Sequence, residues 1–188
     1  MDRGYIYLNK KSFLNNLEVL KNLSRKELCL VVKANAYGHG LEWAVINAKE
    51  SGIKWFAVAS VDEGVQVKKA YEESRVLLLA EPSKIQLENI KENDIDLTVY
   101  NESFIDTLIE TGVEYSVHLK IDTGMHRLGC PPEKFYDLYK KIVDSDLNLI
   151  GICTHFPMAD TDETETKKSI ELFEKTISDI DSTNMLLH

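Results

Sequence analysis

The 188-residue sequence has no Lys/Arg-rich run and no aromatic residues interleaved with basic ones. Its 22 basic residues are outnumbered by 31 acidic ones, for a formal charge of −9, so a nucleic-acid surface is not expected. Small-molecule chemistry fits that balance better. No apolar stretch reaches the roughly 18 residues of a membrane span, and Met1-Asp2-Arg3-Gly4-Tyr5 lacks the charged-then-apolar layout of a signal peptide. The sequence therefore reads as a soluble, cytoplasmic chain with no membrane partner. Cysteine is scarce: Cys29, Cys130 and Cys153 are widely spaced, and two of them lie in apolar runs, a pattern of buried reduced thiols rather than a disulfide framework. Neither HxxxH nor CxxC spacing occurs, so no metal site is expected.

With 44% hydrophobic residues, the chain can core one domain and is too short for two large ones. Apolar, β-rich runs predict strands at 29–34, 55–60, 75–80, 97–100, 115–121, 149–155 and 185–188. Amphipathic stretches fill the gaps. Ser12 to Leu23 carries Phe13, Leu14, Leu17, Leu20 and Leu23 at helical offsets, and Ile170, Phe173, Ile177 and Ile180 repeat the pattern near the end. Ser83 and Asn101 are expected as N-caps, and Pro131-Pro132 as a helix opening. Alternating βα units imply a parallel sheet covered by helices, either open and doubly wound or closed as an eight-stranded barrel. No GxGxxG follows the first strand, which weighs against a dinucleotide-binding open sheet.

Chemistry concentrates where these strands end. The apolar run Leu28-Cys29-Leu30-Val31-Val32 stops at Lys33 and opens into Ala34-Asn35-Ala36-Tyr37-Gly38-His39-Gly40. A lysine held by a strand end, with hydrogen-bonding groups beside it, is a candidate reactive amine. A second segment, His118-Leu119-Lys120-Ile121-Asp122-Thr123-Gly124-Met125-His126-Arg127-Leu128-Gly129, again runs from a strand into a glycine-bounded loop. Its arginine offers a planar, permanently charged fork of donors suited to a phenolic oxygen or a carboxylate. The third, Gly151-Ile152-Cys153-Thr154-His155-Phe156-Pro157-Met158-Ala159-Asp160, closes a strand on a histidine. Lys33, Arg127, His155 and His188 all fall at or just past the C-terminal ends of predicted strands, where barrel active sites are built.

The decapeptide from Val31 to Gly40 closely resembles the pyridoxal-phosphate lysine motif of the alanine racemase family, and the other two segments resemble that family's arginine loop and its Thr-His-Phe strand end. Outside the three segments the likeness is loose but extends over nearly the whole chain, including Asn15-Asn16. The resemblance implies a (β/α)₈ TIM-type barrel, present here as an incomplete barrel of about seven strands, and pyridoxal 5'-phosphate as cofactor. It implies that Lys33 forms the Schiff base and serves as one base, and that Tyr37 contacts the phosphate. It also implies that Arg127 lies beside the ring hydroxyl, Lys120 is carbamylated to hold that arginine, and His155 stands beside the ring. His188 would precede the phosphate-contacting residues.

The family reaction is racemisation of L-alanine to D-alanine for cell-wall peptidoglycan by two-base α-proton exchange, in a homodimer. Its opposite-face tyrosine comes from a C-terminal β-domain of the partner subunit, and a further arginine meets the pyridine nitrogen; neither has a counterpart here. Because such barrels take about 250 residues, residues 1–188 are expected to be the N-terminal part of the cofactor-binding barrel domain, with the C-terminal β-domain absent from this chain. Alone, it is expected to hold the cofactor weakly and turn over little. Alternatives are a serine racemase on the same scaffold and a non-catalytic pyridoxal-phosphate-binding protein.

Overall fold

The computed structural model describes residues 4–188; Met1, Asp2 and Arg3, on which the signal-peptide reading partly rests, lie outside the described residues. The chain divides into two compact units, one ending at Ile95 and the other beginning at Asp96.

The first unit runs α1 (Lys10–Ser24), β1 (Cys29–Val31), α2 (Lys33–Tyr37), α3 (Leu41–Glu50), β2 (Trp55–Val58), α4 (Val61–Ala70), β3 (Arg75–Leu78), a short 3₁₀ turn and α5 (Leu87–Glu92). β1 pairs in parallel with β2, and β2 with β3. β2 buries the consecutive residues Phe56, Ala57 and Val58, as a strand covered on both faces must. Helix α1 begins two residues earlier than its apolar period predicts, because the Asn9 side chain accepts the Ser12 N–H at 3.0 Å and caps the helix there. Ser83 opens the 3₁₀ turn Lys84–Gln86, its N–H donating to the Gln86 side chain at 3.1 Å.

The second unit contains β4 (Ile95–Val99), α6 (Glu102–Glu110), β5 (Ser116–Lys120), a 3₁₀ turn starting at Pro132, α7 (Phe135–Val143), β6 (Asn148–Cys153), α8 (Glu163–Thr176) and β7 (Leu186–Leu187). β4 to β7 pair in sequence order, all parallel. Asn101 caps α6 as expected, accepting the Phe104 N–H at 2.8 Å. α8 stops before its apolar period does: Ile177 is the C-cap, and Ile180 lies beyond the helix. There the Ser178 hydroxyl donates to the Lys175 carbonyl at 2.9 Å, a side-chain bond that competes with helix propagation.

Two further expectations are corrected. The first strand ends at Val31 rather than at Ala34, because the backbone reverses hand immediately after Lys33. Cys29 is exposed, unlike the buried Cys130 and Cys153; among the described strands β1 pairs only with β2. No described helix is long and apolar enough to cross a membrane.

Candidate active site

Lys33 is half-buried and stands two residues past the end of β1, after the Val32 N–H has made a last ladder bond to the Ala57 carbonyl at 2.9 Å. The next residues form a turn of left-handed helix: Ala34 (φ 51°, ψ 49°), Asn35 (φ 54°, ψ 47°) and Ala36 (φ 52°, ψ 47°) are followed by Tyr37 at φ 53°. Left-handed helical backbone costs an L-residue roughly 1–2 kcal/mol, so the surroundings must determine it closely. Here the Asn35 carbonyl accepts the Gly40 N–H at 2.9 Å, and its side chain accepts the Leu41 N–H at 2.8 Å, supplying the first donor of α3 with a partner. Among the described residues, the Lys33 ammonium and the exposed Tyr37 phenol have no hydrogen-bond or ion-pair partner.

In the second unit, Arg127 is exposed on a loop whose backbone is gathered around Asp122. The Asp122 carboxylate accepts the N–H groups of Gly124 and His126, each at 3.0 Å. Partial burial opposes its charge, but these donors and the neighbouring His126 ring outweigh it and hold its carboxyl below the ordinary value. The loop is closed by Asp122 N–H to the Cys130 carbonyl (2.9 Å) and Cys130 N–H to the Lys120 carbonyl (2.8 Å). Among the described residues, the Arg127 guanidinium has no partner. Lys120 ends β5, in register with Cys153.

His155 lies two residues past β6 and is exposed rather than packed in the core. His188 completes the β7 ladder, its N–H donating to the Ile152 carbonyl (3.1 Å) and its carbonyl accepting the Thr154 N–H (2.9 Å). Its Nε2 lies 2.9 Å from Nδ1 of the buried His118. His118 Nε2 in turn lies 3.7 Å from the buried Asp96 carboxylate.

Desolvation of the His188 ring, together with the charges of His118 and Lys120, lowers its pKa to about 4. The unfolded group titrates near 6.5, so the unfolded chain binds the extra proton first. The stability this neutral His188 ring contributes is whole above about pH 6.5 and is lost as pH falls toward 4. Imidazole resonances followed by NMR should leave His188 neutral at pH 5; a midpoint near 6.5 would refute this.

Within each unit, then, the structure brings together Lys33 with Tyr37 on one turn, and sets His188 where the charge of Lys120 helps disfavour protonation of its ring. It adds residues that periodicity passes over. Asp96 and His118 form a buried polar pair inside apolar strands, and their only trace is a polar letter in an apolar run. Glu63 accepts the Ala34 N–H, and its signal was the Ser60-x-x-Glu63 spacing of a capping box.

Parallel βα units with polar side chains past the C-terminal ends of their strands are the arrangement found in βα-barrel enzymes. The family model for the alanine racemase N-terminal domain matches residues 8–187. The alanine racemase of Treponema denticola is 36% identical over 188 residues, covering 95% of this chain and 49% of that protein. An amino-acid racemase of Enterococcus faecalis is 32% identical, covering 94% of this chain and 26% of that protein. The crystal structure of the biosynthetic alanine racemase of Pseudomonas aeruginosa superposes with a TM-score of 0.86 at 26% identity, covering 94% of this chain and 51% of that one.

This chain belongs to the alanine racemase family. Its fold class is the (β/α)₈ TIM-type barrel of those structures, of which it supplies seven parallel strands. It spans about half the length of the alanine racemases it matches.

Proposed function

We propose that the protein containing this chain is an alanine racemase, interconverting L- and D-alanine with pyridoxal 5'-phosphate bound at Lys33. Residues 1–188 are then the N-terminal part of the cofactor-binding barrel domain. The observation that carries this reading is the Lys33 amine, set just past the end of β1 on a left-handed turn and paired with nothing among the described residues. The donor set fits the cofactor: a primary amine for an aldehyde, a phenol on Tyr37 for a phosphate, and a guanidinium on Arg127 for a phenolic oxygen, each without a partner among the described residues.

When bound, pyridoxal phosphate supplies an electron sink for the charge left as the Cα proton departs. Lys33 Nζ takes and returns that proton on one face. Arg127 donates to the cofactor's phenolic oxygen or the substrate carboxylate, and Lys120, carbamylated, holds it there. His155 stands beside the ring, and His188 leads into the phosphate contacts. The opposite-face base belongs to a C-terminal β-domain of the partner subunit in a homodimer, so the 188-residue chain alone turns over little. The product serves peptidoglycan synthesis in the cytoplasm.

Borohydride reduction of the holo-protein, followed by peptide mapping, should label Lys33 and no other lysine; an unlabelled Lys33 refutes the assignment. A serine racemase on the same scaffold is the alternative, and initial rates with alanine and serine decide between them. Cofactor uptake without α-proton exchange in deuterated water would instead identify a non-catalytic binding protein.

A further inference from the structure

The turn that carries Lys33 is held from outside by one carboxylate. Glu63, in the first turn of α4, accepts the Ala34 N–H on Oε1 at 2.6 Å, and with Oε2 it accepts the N–H groups of Ala59 at 3.0 Å and Ser60 at 3.3 Å. The Ser60 hydroxyl returns the favour by accepting the Glu63 N–H at 3.3 Å, which completes a capping box. A capping-box glutamate needs only the N-cap amide for that purpose. The bond to Ala34 crosses to another segment, 29 residues earlier, and contributes nothing to capping α4.

Its geometry bears directly on the lysine. The Ala34 N–H lies in the same peptide plane as the Lys33 carbonyl, so fixing that plane fixes the Lys33 ψ angle and with it the direction in which Cα presents the side chain. It is also the point at which the backbone enters the left-handed region, where four successive non-glycine residues hold positive φ. Three backbone donors converging on one carboxylate, one of them at charge-assisted length, give this strained turn an anchor in the rigid end of β2.

We infer that Glu63 is a positioning residue for Lys33: its carboxylate ties the left-handed turn to the β2–α4 junction and so aims the amine. This rests on the reading of Lys33 as the cofactor lysine. In this role Glu63 acts through the backbone of the turn rather than by contact with substrate or cofactor.

The test compares E63A, E63Q and S60A in the holo-protein, reading pyridoxal-phosphate affinity and, by NMR or mass spectrometry, the hydrogen-exchange rate of the Ala34 amide. Loss of a hydrogen bond to a charged group corresponds to about tenfold or more. E63A should therefore weaken cofactor affinity and speed Ala34 exchange by about that factor. E63Q has a single acceptor oxygen and cannot serve Ala34 and the Ala59–Ser60 amides together, so it should fall between E63A and wild type. It also serves if E63A does not fold. S60A removes the hydroxyl cap on α4 but leaves the carboxylate in place, so it should lower the melting temperature without moving either readout. Wild-type affinity in both Glu63 variants, or an equal loss in S60A, overturns the inference. Wild-type protein whose Lys33 is not labelled by borohydride overturns the cofactor reading itself, a result visible before any variant is compared.

Discussion

Replacing Lys33 by alanine in the holo-protein should reduce α-proton exchange from alanine by about 10⁴-fold or more, since under the proposed function it removes both the cofactor's covalent anchor and one of two bases, and a positioned acid or base alone contributes about 10²–10⁴-fold. Folding should hardly notice. The side chain is half-buried and makes no hydrogen bond or ion pair among the described residues, and substitutions of that kind usually stay within about 0.5 kcal/mol. Deuterium incorporation at Cα followed by NMR, alongside thermal melting, separates the two effects. A variant that retains exchange within tenfold of wild type contradicts the assignment, whereas one that melts far below wild type would show that Lys33 is structural.

The second large effect is expected at Gly129, which closes the Arg127 loop. Its φ of +138° is a region that side chains rarely adopt, and a Cβ there would lie 2.6 Å from the Asp122 nitrogen and 2.8 Å from the Ile121 carbonyl carbon. Both are backbone atoms and cannot swing away. Alanine at this position must break the paired bonds between Asp122, Cys130 and Lys120 or push the loop off β5. Strain in such a region and overpacking each cost roughly 1–3 kcal/mol, so G129A should lose about 3 kcal/mol or more in urea unfolding. It should also weaken catalysis, because the loop carries Arg127. Wild-type stability in G129A would mean that the loop has slack the close approach denies.

Much of the fold was legible because apolar period is a local signal. β2, β3 and β5 lie within the predicted runs, with ends differing by a residue or two, and Asn101 and Pro131 mark helix starts as their chemistry requires. Errors cluster where a contact distant in sequence decides. Val31-Val32-Lys33-Ala34 reads as continuing strand, yet the chain turns left-handed at Ala34 under a bond from Glu63. Cys29 reads as buried from its apolar neighbours, but it is exposed.

By itself, the amino-acid order determined the alternation of strands and helices and the residue types that end the strands, because both are set by near neighbours in the chain. The three strand-end segments, two of them running into glycine-bounded loops, likewise stand out locally. Tertiary structure alone decided the hand of the turn after Lys33, the meeting of His188 with His118 beside Asp96, and the close approach at Gly129. Each depends on backbone or side-chain atoms from segments well separated in sequence, and no periodicity encodes a distance between them.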